Sequence, residues 1–212
     1  MQIELSEILT CPDCRSPQGL IVLVDELDDE GRVRDGDLGC SRCQRRYPIR
    51  DGVVDLLGGG GSGEPERVAE GDGGRPSPRE LAAEIGGLLD LRSASGPVVL
   101  GHGLAPAAGP LAGLLEGVSL LALAEEAGDG AADSWTLVLG PAGRLPLLPG
   151  KAEGVALWKP GAGALEDARR ALSPGGRLAL LRPDEDARRD LEGSGLEVLA
   201  SEERAAVARR SG

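Results

Sequence analysis

Aromatic residues are almost absent from this sequence: there is no phenylalanine, and one tyrosine and two tryptophans stand among 212 residues. The hydrophobic share is nevertheless 41%, which is enough for a folded core and excludes a wholly disordered chain. Because large aromatic rings are missing, leucine, valine and alanine must do the packing.

Basic residues are outnumbered by acidic ones, and the formal net charge is −12 at pH 7. An acidic surface repels phosphates, so direct binding to nucleic acid or to an anionic membrane is not expected. The first residues, MQIELSEIL, are acidic and lack the basic region and long apolar run of a signal peptide. No apolar stretch approaches the length that crosses a bilayer. These absences predict a soluble protein of the cytoplasm.

The composition divides the chain into three parts. Residues 1–57 carry all four cysteines and one short apolar run, at Leu20–Val24, which predicts a strand. Residues 58–79 contain almost no large apolar side chain and predict a flexible linker, because such a segment cannot bury enough surface to order itself. Residues 80–212 return to a regular apolar pattern and predict a second folded domain.

The second domain alternates helical and strand patterns. Apolar positions at helical spacing occur in Glu80–Leu91, Pro106–Glu116 and Ala164–Ser173. Short, continuous apolar runs occur at Pro97–Leu100, Val118–Leu123, Trp135–Leu139, Gly154–Trp158 and Arg177–Leu181. Continuous apolar strands separated by helices are typical of a parallel sheet covered on both faces. Leu196–Ala200 and Arg204–Arg210, joined by three polar residues, predict a terminal antiparallel hairpin. The fold class is therefore α/β and Rossmann-like.

The cysteines form two pairs, Cys11 with Cys14 and Cys40 with Cys43. A gap of two residues lets both thiolates of a pair point at one metal ion, and two such pairs complete a tetrahedral zinc site. The alternative is disulfides or free thiols, and a reducing cytoplasm disfavours disulfides. A four-thiolate site leaves no open position, so the zinc would be structural rather than catalytic.

The N-terminal part resembles the zinc-ribbon family of methyltransferase activator subunits. The resemblance rests on LTCPDC and on LGCSRCQRRYPIRDGVVDLL, which spans Leu38–Leu57. It implies a small domain that binds and stabilises class I methyltransferases, or that is fused to one, and hence a protein partner. Val54 stands where the family usually has proline. We expect Tyr47 and Ile49 to pack the ribbon interior.

The region from about Ser93 to Gly212 resembles a class I S-adenosylmethionine-dependent methyltransferase domain. The landmarks are Gly101-His102-Gly103, RLPLLPGKAEGVAL, LSPGGRLALL and the closing hairpin. The resemblance implies that S-adenosylmethionine would bind at the turn formed by Gly101 and Gly103.

The polar residues that the methyltransferase family uses to hold this cofactor are missing. Val99 stands where the family has a carboxylate in the first strand, and Ala105 where it has the third glycine of the turn. Ala124 stands where the family has the acid that binds the ribose hydroxyls. The polar residue facing the adenine falls near Pro141, and the segment Glu125–Ser134 is too short for the expected helix. We therefore interpret Gly101 and Gly103 as a vestigial turn.

No residue is assigned a catalytic role. His102 lacks a neighbouring nucleophile or orienting carboxylate in the sequence. Trp158 and Lys159 follow the fourth strand of this domain and are interpreted as a strand end with an aromatic lid.

Three functional hypotheses remain. The first is a non-catalytic zinc-binding scaffold or interaction partner on a pseudo-methyltransferase fold. The second is an active S-adenosylmethionine-dependent methyltransferase with a relaxed site that uses Glu125 and acts on a protein or small molecule. The third is an anion held at the helix N-terminus near Pro106.

Overall fold

The computed structural model describes residues 1–57, 75–91, 96–115, 117–126 and 134–212. In these residues eleven strands form one open sheet: β1 (Ile21–Leu27), β2 (Val33–Gly39), β3 (Arg46–Arg50), β4 (Val53–Asp55), β5 (Val98–Leu100), β6 (Leu120–Ala124), β7 (Trp135–Leu139), β8 (Ala152–Trp158), β9 (Leu172–Leu181), β10 (Glu197–Ser201) and β11 (Ala205–Arg209). The helices are α1 (Pro78–Leu89), α2 (Ala108–Ala112), α3 (Ala162–Ala171) and α4 (Glu185–Glu192).

The second half of the chain forms the parallel part of the sheet. Strands β7, β6, β5, β8 and β9 lie side by side in this order and run parallel. If the five strands are numbered by their order along the chain, their order across the sheet is 3-2-1-4-5. This is the strand order of a doubly wound fold. Strand β11 lies antiparallel to β9 and to β10. The predicted Rossmann-like fold with a terminal antiparallel hairpin is confirmed.

Helices cover both faces of this parallel sheet. Helix α1 starts with a capping box in which Ser77 and Glu80 bond each other's backbone N–H, and Pro78 occupies the first turn. It packs with α2 on one face, and α3 and α4 cover the other face together with a 3-10 segment, Ile3–Ile8. No helix in the described ranges is both long and apolar enough to span a membrane.

Two predicted segments fall partly outside the described residues. The predicted linker, 58–79, is described only from Arg75, and α1 begins within it at Pro78. Of the segment Glu125–Ser134, residues 127–133 lie outside the description. The helix predicted over Pro106–Glu116 is shorter than expected: a 3-10 turn at Ala105–Ala107 leads into the five residues of α2.

The cysteine-bearing part, residues 1–57, adds an antiparallel meander, β1 to β4, to the edge of the parallel sheet. Strand β4 pairs in parallel with β7, matching Val54 with Val138 and Asp55 with Leu139. The N–H of Leu56 then donates to the carbonyl of Leu139 at 2.8 Å. The two parts of the chain therefore share one sheet, a union that the composition alone did not predict.

A second set of backbone hydrogen bonds joins the same two parts of the chain, next to the β4–β7 pairing. The N–H of Thr10 donates to Pro146 at 2.9 Å, and the N–H of Leu148 donates to Ile8 at 2.8 Å. The loop that carries Pro146 is fixed by the buried Asp167, which accepts two bonds from Arg144 at 2.8 and 3.2 Å and one from the N–H of Leu145. The apolar interior consequently runs without a break from the meander into the parallel sheet.

Candidate functional site

The four cysteines come together at one end of the meander. Two of them, Cys11 and Cys14, follow the segment that bonds Pro146, and the other two, Cys40 and Cys43, form the turn between β2 and β3. All four sulfur atoms lie within 4.8 Å of one another. The four residues predicted as metal ligands therefore lie together, although the two pairs are 26 or more residues apart in the sequence.

The spacing of the sulfur atoms suits a tetrahedral metal ion. Cys11 Sγ lies 3.6 Å from Cys43 Sγ, and Cys14 Sγ lies 3.5 Å from Cys40 Sγ. Zinc–sulfur bonds of about 2.3 Å imply sulfur–sulfur separations of about 3.8 Å in a tetrahedron. A disulfide needs about 2.05 Å, so the four cysteines are free thiols in this arrangement. The donor set could hold a zinc ion.

The thiols have unequal acidity. Burial and hydrogen bonds with Cys40 and Cys11 raise the pKa of Cys14 to about 12. Burial also opposes ionisation of Cys40, but the backbone N–H groups of Cys43 and Arg42 outweigh it and lower the pKa of Cys40 to about 7. Four adjacent thiolates would repel one another strongly, so a divalent cation is the natural counter-charge for this cluster.

Tyr47 connects the cluster to the core of the meander. Its side chain is 1% exposed, its hydroxyl lies 3.0 Å from Cys11 Sγ, and it donates to Asp13 at 2.6 Å. Asp13 is in turn paired with Arg45 at 3.3 Å. Burial and the hydrogen bond to Asp13 raise the pKa of Tyr47, so the phenol stays protonated. The sequence predicted that Tyr47 packs the interior but gave no sign of its contact with Cys11.

The carboxyl ends of the parallel strands β5, β6 and β7 lie side by side at one edge of the sheet. Both glycines of the predicted turn follow β5, and their surroundings favour glycine for different reasons, packing at Gly101 and backbone angle at Gly103. A Cβ at Gly101 would stand 2.6 Å from a methyl group of Leu157, and Gly103 has a φ of +82°, which disfavours other residues. Neither glycine therefore needs a bound ligand to explain it.

The positions that would hold a nucleoside cofactor are apolar. Val99 is fully buried in the apolar interior, Ala124 ends β6, and Pro141 follows β7. Glu125, just beyond β6, is exposed. In the sequence, Glu125 thus stands one residue beyond the position at which the resemblance requires a carboxylate.

His102 links the end of β5 to the end of β7. Its Nε2 lies 3.3 Å from the carbonyl oxygen of Gly140, beyond the end of β7. Since a carbonyl only accepts, Nε2 carries the proton in this bond. Burial lowers the pKa of His102, while the bond to Gly140 and the charge of Glu125 oppose this lowering. The imidazole thus bridges two strand ends that flank β6.

A stack of cationic and aromatic side chains closes the other side of the turn. The guanidinium groups of Arg75 and Arg182 lie 5.0 and 5.8 Å from the centre of the Trp158 ring. Arg75 also donates to the carbonyl of Gly103. Trp158, which the sequence predicted to be an aromatic lid, is thus contacted by Arg75 from the segment before α1.

Helix α2 does not provide the third predicted site. It spans only five residues and follows a 3-10 turn at Ala105–Ala107, so the long helix that was predicted to hold an anion near Pro106 is not formed in the described residues.

Comparison with known proteins places the two parts separately. Residues 2–52 match the family model described as Trm112p-like protein. Among solved structures, the antibiotic-resistance methyltransferase Kmr is similar at 18% identity with a TM-score of 0.43, covering 65% of this chain and 94% of that one. A SAM-dependent O-methyltransferase from Thermotoga maritima is similar at 13% identity with a TM-score of 0.49, covering 63% and 65%. The glycopeptide N-methyltransferase MtfA is similar at 17% identity with a TM-score of 0.47, covering 63% and 95%. No curated protein sequence matches.

Proposed function

We propose that this protein is a non-catalytic scaffold, in which a zinc-loaded ribbon stabilises a methyltransferase-like domain that no longer binds S-adenosylmethionine. The observation that carries the proposal is the group of residues at the ends of β5, β6 and β7. The glycines there are explained by packing and backbone angle, the positions that the resemblance assigns to the cofactor are apolar, and His102 bridges the ends of β5 and β7.

The zinc ion would be held by Cys11, Cys14, Cys40 and Cys43 and would be purely structural. With four protein sulfurs around it, the ion has no open position for water or substrate. Small metal domains of this size depend on the ion for folding, so the zinc would hold residues 1–57 in the shape that presents β4.

The ribbon would stabilise the second domain of its own chain. Its match to the Trm112p-like model suggests an activator of a methyltransferase, and here β4 is already paired with β7 of the same chain. Covering that edge protects an apolar strand, Trp135–Leu139, from pairing with other proteins. The ribbon therefore acts as a built-in cap of the domain it is fused to.

The remaining role is recognition of a protein partner in the cytoplasm, where thiols stay reduced. The net charge of −12 disfavours nucleic acid as that partner.

One feature favours an active methyltransferase as the second candidate. Glu125 projects from the end of β6 close enough to His102 to influence its pKa, and an acid at this end of the sheet can bind ribose hydroxyls. In this case Glu125 would compensate for the missing carboxylate at Ala124.

Thermal unfolding with added S-adenosylmethionine separates the two candidates. A ligand at one hundred times its Kd raises stability by about 2.7 kcal/mol. We expect no shift in Tm at millimolar ligand, for the natural protein and for Glu125→Gln alike. A shift that Glu125→Gln abolishes would overturn the scaffold proposal in favour of the enzyme.

A further inference from the structure

The outer edge of the sheet at β1 has the features of a binding surface. β1 is the last strand of the eleven-stranded sheet, so one side of its backbone has no strand partner in the described part of the chain. It carries four of the eight exposed large apolar side chains there: Ile21, Leu23, Val24 and Leu27, each 39 to 54% exposed. Natural edge strands are seldom this apolar without a partner.

The two halves of β1 differ. Pairing with β2 is regular from Ile21 to Val24, and register shifts follow between Val24 and Leu27. The regular half offers a straight backbone to an added strand, whereas the irregular half interrupts pairing. An added strand would therefore lie along Ile21–Val24 and end near Asp25.

The charge around this edge is strongly one-sided. The hairpin of residues 21–39 contains seven carboxylates and two arginines. Both arginines are already paired with carboxylates of the ribbon, Arg32 with Asp28 inside the hairpin and Arg34 with Asp51 outside it. Asp25 and Glu26, next to the regular half, are exposed and form no ion pair within the described ranges. Carboxylates that lack an internal partner beside an apolar strand favour a positively charged occupant.

The ribbon has no second edge to offer. Its other outer strand, β4, is paired with β7 of the same chain. Pairing β1 with a second copy of itself would bring two sets of carboxylates together and is opposed by like-charge repulsion.

We propose that β1 binds an extended, apolar and basic segment of another protein, which adds to the sheet as a twelfth strand. Backbone hydrogen bonds along Ile21–Val24 would supply affinity, apolar side chains would cover Leu23, and lysine or arginine would pair with Asp25 and Glu26. This inference rests on the scaffold proposal and names the surface through which the scaffold works.

The test uses the full zinc-loaded chain and a fluorescein-labelled peptide of alternating valine and lysine as the probe. Asp25→Lys combined with Glu26→Lys reverses the charge at the edge, and Glu185→Lys combined with Asp186→Lys makes the same change on exposed residues of α4. A peptide of alternating valine and glutamate controls for non-specific strand pairing.

We expect fluorescence anisotropy to show binding of the valine–lysine probe that weakens at least tenfold in the β1 variant and less than twofold in the α4 variant. Amide hydrogen exchange should slow in β1 when the probe is bound. Equal weakening in both variants, unchanged exchange in β1, no binding of the probe, or a dimer by light scattering would each overturn the proposal. Binding of S-adenosylmethionine would instead contradict the scaffold proposal alone.

Discussion

At the scale of single residues, Tyr47 does more than fill space. Its hydroxyl is fully buried between a cysteine sulfur and a carboxylate. A buried hydroxyl beside a metal ligand holds that ligand in place, and removing such a group typically costs 10–100-fold in metal affinity.

Replacing Tyr47 with phenylalanine should weaken zinc binding by about tenfold or more. The ring still packs, but the bonds to Cys11 and Asp13 are lost. Competition with a chromogenic chelator measures the effect, and cobalt-substituted protein should show a shifted thiolate charge-transfer band. Asp13→Asn, which keeps an acceptor for the hydroxyl, is the matched control. Identical zinc affinity for Tyr47→Phe and the natural protein would contradict this role.

Titration of His102 should make the stability of the protein depend on pH. Burial lowers its pKa below the ordinary value of 6.5, so the unfolded chain takes up a proton at a higher pH than the folded one. Stability is therefore full above pH 6.5 and declines as the pH falls toward the lower, folded pKa.

Urea unfolding of the zinc-loaded protein, measured from about pH 7.5 to 5.5, should reveal this decline. In His102→Gln the decline should be smaller, because glutamine does not titrate yet can donate to Gly140. The comparison with the natural protein cancels titration of the Met1 amino group, whose pKa is also lowered by burial. Parallel pH profiles for the two proteins would refute the assignment.

Sequence and structure agree unevenly at this scale. The four cysteines were predictable because a CxxC spacing reports local geometry. The contact of Tyr47 with Cys11 was not, because the two residues are 36 positions apart and meet only through folding. The bridge from His102 to Gly140, across 38 positions, was hidden for the same reason.

At the scale of elements, the pairing of β4 with β7 determines how the ribbon sits. Leu56 is 3% exposed, and its N–H donates to Leu139. The residue before it, Asp55, is in a strand conformation that tolerates a following proline.

Leu56→Pro should destabilise the protein more than Leu56→Ala. Both changes remove a buried side chain, which costs about 2–5 kcal/mol. Only proline also removes the N–H and leaves the Leu139 carbonyl without its partner, for a further 1–3 kcal/mol or so. Urea unfolding measures the difference, and amide exchange in β7 locates it. Equal free energies of unfolding for the two variants would mean that the hydrogen bond from Leu56 to Leu139 contributes nothing to stability.

The elements of the parallel sheet were predictable because their strands are continuous apolar runs. Strand β2, VRDGDLG, was not, because it is polar and contains two glycines. Its structure depends on Leu38, which pairs with Tyr47, and on register with both neighbours. The pairing between β4 and β7 cannot be predicted from the sequence pattern of either strand.

At the scale of the whole molecule, the ribbon and the parallel sheet share one interior. Thr10, directly before the first cysteine of the cluster, is bonded to the loop that follows β7. A change at the cysteine cluster can therefore reach the parallel sheet through backbone hydrogen bonds.

Removing zinc by chelation should expose β7 as well as unfold the ribbon. The purified protein should contain about one zinc per chain, and its loss should speed amide exchange in β1 to β4 and in β7 while the terminal hairpin stays protected. Adding zinc back should restore the protection. Unchanged exchange in β7 after chelation would show that the two parts are energetically independent.

The central claim is that the fold persists without its cofactor. Isothermal titration calorimetry of the zinc-loaded chain with S-adenosylhomocysteine tests it most directly. We predict no binding heat up to millimolar ligand. A Kd below about 100 µM, corresponding to more than about 5 kcal/mol of binding free energy, would contradict it.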